Sequence, residues 1–530
     1  SLDWSILVVY ICGNLLLGYY LSKRISTAED FFLGRRTTPW WAIGISVIAS
    51  YVSALSFLGA PAWSYTDGLS VIAIHLNYPI VILLVITFFL PFFFNSGVAS
   101  IYEYQERRFG KKARALISTI WLVSQTLTSA AILYATSLVL EFITGIDVVN
   151  AILIVTIIAL IYTALGGITA VIWTDVIQAA VLFVGAFIIF FALLDNLTLP
   201  FAETMAQLKV QGKTDALNFS GDWTNVTTVW SGIVAMTLYH VTVYGTNQMM
   251  VQRTLASKNI GDAKKSYLLM GFTAFFIYFL FIFLGILFYS YYGGAEFENG
   301  NTIILQFAAD YGLPGLMGVI AAAVMAASMS SLDSAFNSLS TISTIDFYQK
   351  YFVKNGTPEH YLKVTRIFTV FWAAVIIAPA IMYSKSTGSI LETLSQVGSY
   401  FVGAQLGMFA LGFFSKHATE RGLLVGTAVG FGVVWYVATN TDIAWPWYCL
   451  IGAVTNTSVS TLASMLIDGF QKDWSPYSIK GQLEKFRNEG LAEKENGWYV
   501  VPGKVDKISY LLLVFFVLVF GFLLLFEQMI

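Results

Sequence analysis

The chain has 530 residues, with 29 Lys and Arg against 31 Asp and Glu, so charged residues make up 11% of it where an ordinary soluble domain carries roughly 25%. With 57% hydrophobic residues, 42 Phe, 28 Tyr and 14 Trp, the composition excludes a water-soluble globule and leaves a lipid-embedded, multi-span protein. The net charge of −2 is too small to point to nucleic acid or an acidic partner, so no nucleic acid is expected, and the two cysteines, Cys12 and Cys449, supply neither a disulfide framework nor a metal site.

A hydrocarbon core about 30 Å thick asks for about 20 apolar residues per helix, and the sequence holds fourteen such runs. In chain order they are 6–21, 40–63, 71–94, 115–142, 148–165, 169–194 and 227–251, then 267–290, 314–344, 364–383, 390–414, 422–439, 444–467 and 508–526. The first is a retained span and not a cleavable signal, because Lys23 and Arg24 follow it and no small-residue cleavage site does. A miscounted span would scatter the basic residues over both membrane sides. Instead, alternating the loops places 26 of the 29 on one side, the cytoplasm, including the four between Arg253 and Lys265. Only Lys209, Lys213 and Lys385 fall outside, and both termini are predicted outside. The long outside loop at 195–226 reads as part of a lid, and the cytoplasmic stretch 468–507 as a linker with one short surface helix near Gln482 to Asn488.

Polar residues at membrane depth are costly and mark function. Here they gather in a few spans. The second holds Ala49-Ser-Tyr-Val-Ser-Ala-Leu-Ser56 with Gly59 and Pro61 behind it, and the seventh holds Tyr239-His-Val-Thr-Val-Tyr-Gly-Thr-Asn-Gln248. Two interrupted helices, each the first of five consecutive spans, predict two inverted five-helix repeats at 40–194 and 227–414, with a midplane binding site between them. The ninth span adds Ala326-Ala-Ser-Met-Ser-Ser-Leu-Asp-Ser-Ala-Phe-Asn-Ser338. Residues three and four apart share a helix face, which puts the Ala327 carbonyl beside the Ser330 and Ser331 hydroxyls. Such hard, neutral oxygens suit an alkali cation better than a transition metal. Asp175 and Asp333 are the conspicuous acids, and Asp175 has an alternative reading as the partner of a nearby Lys or Arg. His75 and His240 read either as solute-facing or as hydrogen-bonded packing residues. Tyr51 and Tyr244 stand beside the two interruptions.

Three stretches, Gly166-Gly-Ile-Thr-Ala-Val-Ile-Trp-Thr-Asp-Val-Ile-Gln178, Tyr244-Gly-Thr-Asn-Gln-Met-Met-Val-Gln-Arg-Thr-Leu255 and Ser330-Ser-Leu-Asp-Ser-Ala-Phe-Asn-Ser338, resemble the sodium/solute symporter family over nearly the whole chain. That is the group of the bacterial sodium/galactose and sodium/sialic acid symporters. The resemblance implies an all-α integral membrane protein of the leucine-transporter type. Its parts would be a first outer helix and cytoplasmic loop at 1–39, the two repeats around the extracellular loop 195–226, two peripheral helices at 415–467, the cytoplasmic linker 468–507 and a C-terminal helix at 508–530. It implies a main sodium site at the carbonyls of Ala49, Val52 and Ala327 and the hydroxyls of Ser330 and Ser331. A second Na+, described in some members, maps to Asp175, Ser330, Asp333 and Ser334, with Asp333 departing from a common Ser or Thr. For the solute the resemblance and the residues beside the interruptions together point to Tyr51, Ser53, Ser56, His75, His240, Tyr244, Ser395 and Gln396. The arginine that holds the carboxylate in the sialic acid carrier falls at about Thr128, which argues against sialic acid.

The resulting expectation is a sodium-coupled symporter that imports a small polar solute, a sugar or polyol, by alternating access, in a bacterial cell membrane and without an obligate protein partner. A symporter for a small carboxylate or other anion, and a proton-coupled symporter, stay open beside it. An enzyme is not expected, since the chain lacks a His-Glu-x-x-His pair and any Ser/His couple at a Gly-rich turn.

Overall fold

A chain this apolar has to close its backbone hydrogen bonds within helices, because hydrocarbon offers no partners. The computed structural model describes residues 2–23, 25–96, 98–385 and 390–529; the side chains of residues 162, 164–166, 390–393 and 396 lie outside that description. The membrane-embedded elements are α1 (Leu2–Ser22), α2 (Trp40–Tyr51), α3 (Ala54–Asp67), α4 (Tyr78–Leu84), α5 (Lys111–Thr144), α6 (Val148–Asp195), α7 (Met236–Gly245) and α8 (Gln248–Leu255). They continue with α9 (Ile260–Tyr291), α10 (Leu316–Ile342), α11 (Pro358–Ser384), α12 (Ile390–Phe414), α13 (Glu420–Asn440), α14 (Pro446–Asp468) and, after a short surface helix, the C-terminal helix Tyr510–Met529.

Among the described residues, 11 helical stretches are long and apolar enough to cross a membrane, joined by two shorter apolar helices, Trp40–Tyr51 and Val148–Ile161. Every run found in the sequence but one falls on these helices; the run 227–251 is instead split between Met236–Gly245 and Gln248–Leu255. Length alone does not deliver fourteen crossings, because Ala54–Ser96 is one continuous apolar stretch of 43 residues. The division expected near residue 167 is a turn within α6, where Gly167 adopts φ 57 and ψ −159. A Cβ there would meet Phe31 at 2.9 Å, so both the dihedral and the close approach require glycine.

Both expected interruptions are present. The first lies at Val52 and Ser53, between α2 and α3. Gly59 and Pro61 do not contribute to it; they sit inside α3. The second lies at Thr246 and Asn247, between α7 and α8. At the centre is α10, whose span is 89% buried against 22% for α11, so the first is core and the second faces lipid. It packs on α1, α2, α5 and α6.

The stretch 468–507 is more than a linker. Its surface helix spans Ile479–Asn488, and a two-stranded hairpin, Lys494–Glu495 with Trp498–Tyr499, follows. Lys264, expected in a loop, is fully buried at the start of α9 and pairs with Asp506 at 2.6 Å. It also donates to the Tyr499 carbonyl at 2.7 Å. On the opposite side, the loop 195–226 carries the helix Phe201–Val210 and accepts a hydrogen bond from Leu69 N at the Lys213 carbonyl, 2.8 Å.

The second half of the first broken helix is held by close packing of α3 on α9. A Cβ on Gly285 would lie 1.9 Å from Ser64 Oγ and 2.3 Å from the Pro61 carbonyl, and Ser64 donates to the Ile282 carbonyl at 2.7 Å. Small residues let membrane helices approach in this way. Gly285→Ala is therefore expected to force the helices apart at a cost of about 1–3 kcal/mol, seen as a lower Tm in detergent. An unchanged Tm would contradict this packing.

Candidate functional site

The two interruptions leave different chemistry behind. In an unbroken helix the Ala49 carbonyl would accept from Ser53 N and the Val52 carbonyl from Ser56 N. At the first break Ser53 N bonds instead to Tyr51 O and Ser56 N to Ser53 O, both at 3.0 Å. The Ala49 and Val52 carbonyls are thereby stripped of their helical donors in the protein interior. At the second break the protein supplies replacements: Tyr267 donates to the Tyr244 carbonyl at 2.5 Å and Tyr102 to the Thr246 carbonyl at 2.9 Å. Asn247 then caps α8 by accepting from Met249 N at 2.9 Å.

α10 lies against the first break. Ser331 Oγ donates to the Ser50 carbonyl at 2.9 Å and approaches the Ala327 carbonyl at 3.3 Å. Its lone pairs remain available, since a hydroxyl has one hydrogen to give. Ser330 Oγ is buried with no hydrogen-bond partner among the described residues, although it is close enough to Asp175 to interact with it. The stripped carbonyls and these hydroxyls make an all-oxygen, uncharged set, suited to a dehydrated alkali ion.

A second polar layer begins at the same hydroxyls. Ser50 Oγ reaches Ser334 Oγ at 3.3 Å and Asp175 at 3.4 Å. Asp175 and Asp333 are both fully buried; Thr163 donates to Asp333 at 3.1 Å. Arg253, which charge distribution alone places in a cytoplasmic loop, is fully buried on α8. It donates from Nε to Ser46 Oγ at 2.8 Å and lies 3.5 Å from Asp175 through Nη2. Ser46 in turn donates to Asp175. The alternative reading of Asp175 as the partner of a basic residue is thus realised, with Arg253. Asp175 Oδ1 has no hydrogen-bond partner among the described residues.

Beside the breaks is a cavity of about 190 Å³. Of the solute residues expected from sequence, Tyr51, Ser53, Ser56, His75, His240 and Ser395 line it. Tyr244 does not: it is fully buried behind the wall, with its ring 5.4 Å from that of Tyr51 and 6.2 Å from that of Tyr78. The Gln396 side chain lies outside the described residues. Sequence reasoning missed Trp121, Gln125, Asn247, Tyr278, Gln405 and Trp445 of the lining. Asn247 stands in the polar run of the seventh span and Gln125 in Ser124-Gln-Thr-Leu-Thr-Ser129, signals that could have found them, whereas Tyr278 and Gln405 lie in apolar helical stretches with no such mark. Thr128 is in the wall, and among the described residues no Asp, Glu, Lys or Arg lines the cavity. Aromatic rings dominate one side, where Tyr278 stacks on His75 at 3.8 Å between centroids.

Comparison with known proteins adds an independent finding. The model of the sodium:solute symporter family matches residues 31–430. The sodium/sialic acid symporter NanT of Aliivibrio fischeri is 29% identical over 473 residues, 88% of this chain and 93% of that protein. The sodium/glucose cotransporter of Vibrio parahaemolyticus is 30% identical over 305 residues, 54% of each chain. Among solved structures, a substrate-bound, outward-open Na+-coupled sialic acid symporter superposes with a TM-score of 0.82 at 29% identity, covering 88% of this chain and 98% of that one.

Removing one partner of a buried ion pair strands the other charge, at a cost of about 3–5 kcal/mol. Arg253→Met is therefore expected to lower Tm and monodisperse yield sharply, and Arg253→Met with Asp175→Asn to recover most of the loss. A double variant no more stable than the single one would contradict the pairing.

Proposed function

The chain belongs to the sodium:solute symporter family and is a sodium-coupled membrane transporter, not an enzyme; on that premise we propose that its solute is neutral and hydroxyl-rich, a sugar or polyol. The observation that carries this is the cavity wall, which offers Ser, Tyr, His, Asn and Gln groups among aromatic rings and no charged side chain among the described residues. Aromatic faces cover the apolar face of a sugar ring while the polar groups take its hydroxyls. The relatives named for sialic acid carry an anionic solute; with Thr128 in the wall and no Lys or Arg lining it among the described residues, a carboxylate would meet no ammonium or guanidinium group here.

The main sodium is assigned to the Ala49, Val52 and Ala327 carbonyls and the Ser330 and Ser331 hydroxyls. Support comes from the two carbonyls the break strips of donors and the buried Ser330 hydroxyl, which has no hydrogen-bond partner among the described residues. A second sodium is assigned to Asp175, Asp333 and Ser334, which meet the first set through Ser330 and Ser50. Sodium entering from outside would tie α2 to α10 and complete the cavity; the repeats 40–194 and 227–414 would then rock about it, and sodium would leave to the cytoplasm. One charge crossing 100 mV contributes about 2.3 kcal/mol and a tenfold gradient about 1.4 kcal/mol. One sodium therefore supports accumulation by several hundredfold, and two would square that.

In proteoliposomes, Ser331→Ala is expected to raise the sodium concentration for half-maximal uptake at least tenfold. Parent-like sodium dependence would remove the main-site assignment. Asp333→Asn separates two readings of the lower layer. Loss of sigmoidal sodium dependence supports a second sodium; unchanged sodium dependence with loss of a pH response supports a proton on Asp333 instead.

A further inference from the structure

Asn77, between the 3₁₀ segment Gly68–His75 and α4, does not line the cavity and is fully buried. Its Nδ2 donates to the Ile74 carbonyl at 3.1 Å and the Gly232 carbonyl at 2.8 Å. Two carbonyls can be satisfied only by the NH2 end of an amide, so the orientation of the side chain is fixed. The anchor is rigid, for a Cβ on Gly232 would lie 2.0 Å from the Ala73 carbonyl. Asn77 Oδ1 consequently faces His240 Nδ1, at 2.8 Å. An acceptor there obliges Nδ1 to carry the ring hydrogen.

The described groups around the His240 ring are Tyr51 on α2, His75 at the end of the 3₁₀ segment, Tyr78 at the start of α4, and Tyr239 on its own helix. Its hydrogen bonds go to Asn77 and Tyr51, neither of them charged. A buried imidazolium with no counter-charge among the described residues is strongly disfavoured, so the ring is neutral with one N–H, on Nδ1. Nε2 is then an acceptor. Its partner, 2.8 Å away, is the Tyr51 hydroxyl, which must spend its hydrogen on the ring. Tyr51 lines the cavity, and what it has left to present is lone pairs.

We propose that Asn77 is a positioning residue that sets the hydrogen-bond polarity of the cavity: by holding His240 as the Nδ1–H tautomer it turns the Tyr51 hydrogen inward, so that Tyr51 meets the solute as an acceptor and selects a hydroxyl or amine hydrogen over an ether or carbonyl oxygen. The consequence for specificity rests on the reading of the cavity as the solute site; the tautomer does not. It also reassigns His240, whose two nitrogens are both engaged by protein, from solute contact to support for Tyr51.

The decisive measurement needs no solute. Full-length protein labelled with 15N-histidine, in lipid nanodiscs, gives side-chain nitrogen spectra in which His240 is identified by loss in His240→Gln. The expected result is a protonated Nδ1 and an unprotonated Nε2, and in Asn77→Asp, where a carboxylate faces Nδ1, two protonated nitrogens. An Nε2–H tautomer in the parent protein would overturn the proposal, whatever the variants do. Sodium-driven uptake of D-glucose, D-galactose and myo-inositol is then compared with uptake of their mono-O-methyl ethers. Methylation at one position is expected to raise KM roughly tenfold in the parent and to make no difference in Tyr51→Phe. Uptake of none of these solutes would count against the polyol reading and leave the tautomer to decide this proposal.

Discussion

A carbonyl that has lost its helical donor inside a membrane has to find a cation, a hydroxyl or cavity water, and the molecule answers this demand differently at its two helix breaks. At the second break hydroxyls from Tyr102 and Tyr267 supply new donors to the Thr246 and Tyr244 carbonyls. At the first, the Ala49 and Val52 carbonyls have lost their helical donors to a local turn. Under the sodium assignment proposed above, the contrast makes the first break the place where a cation would contribute structure. Sodium there would substitute for missing hydrogen bonds, so its binding and the ordering of α2 against α10 are one event. That coupling is what a symporter requires, because an ion moves a conformational equilibrium only by the difference in its affinity for the two states.

The charged layer beneath this site follows the same logic. Buried Asp175 and Arg253 are tolerable only because each has the other and Ser46 bridges them. Asp175 Oδ1 and Ser330 Oγ still lack hydrogen-bond partners among the described residues. The layer joins α2, α6, α8 and α10, drawn from both halves of the predicted repeat. A change in ion occupancy here would be felt by elements of both halves at once. The cavity proposed for the solute, by contrast, carries no charge in its described wall, which would leave discrimination to hydrogen-bond geometry and aromatic faces.

Much of this was legible in the sequence, for reasons that also explain the gaps. The helices could be placed because hydrocarbon imposes length and apolarity on every span, and the breaks because serines and glycines cluster where a helix cannot continue. The Ala327, Ser330 and Ser331 face followed from helical spacing alone. The exact break position did not, since Gly59 and Pro61 look like breakers yet lie within α3. Arg253 and Lys264 were assigned to a loop because charge asymmetry records which side a residue is near, not how deep it lies; both are fully buried. Tyr244 looked like a solute residue by adjacency, but its ring turns behind the wall toward Tyr51 and Tyr78. Asn77 carried no signal at all, because its role depends on Gly232 and His240, 155 and 163 residues away.

The central claim is that the first helix break and the α10 serines form a sodium site before any solute binds. Equilibrium binding of 22Na+ to the purified protein, without solute, tests it most directly in the parent and in a Ser330→Ala, Ser331→Ala double variant. The account predicts saturable sodium binding by the parent and its loss, or a large fall in affinity, in the double variant at unchanged fold. Equal sodium binding by the two proteins would contradict it.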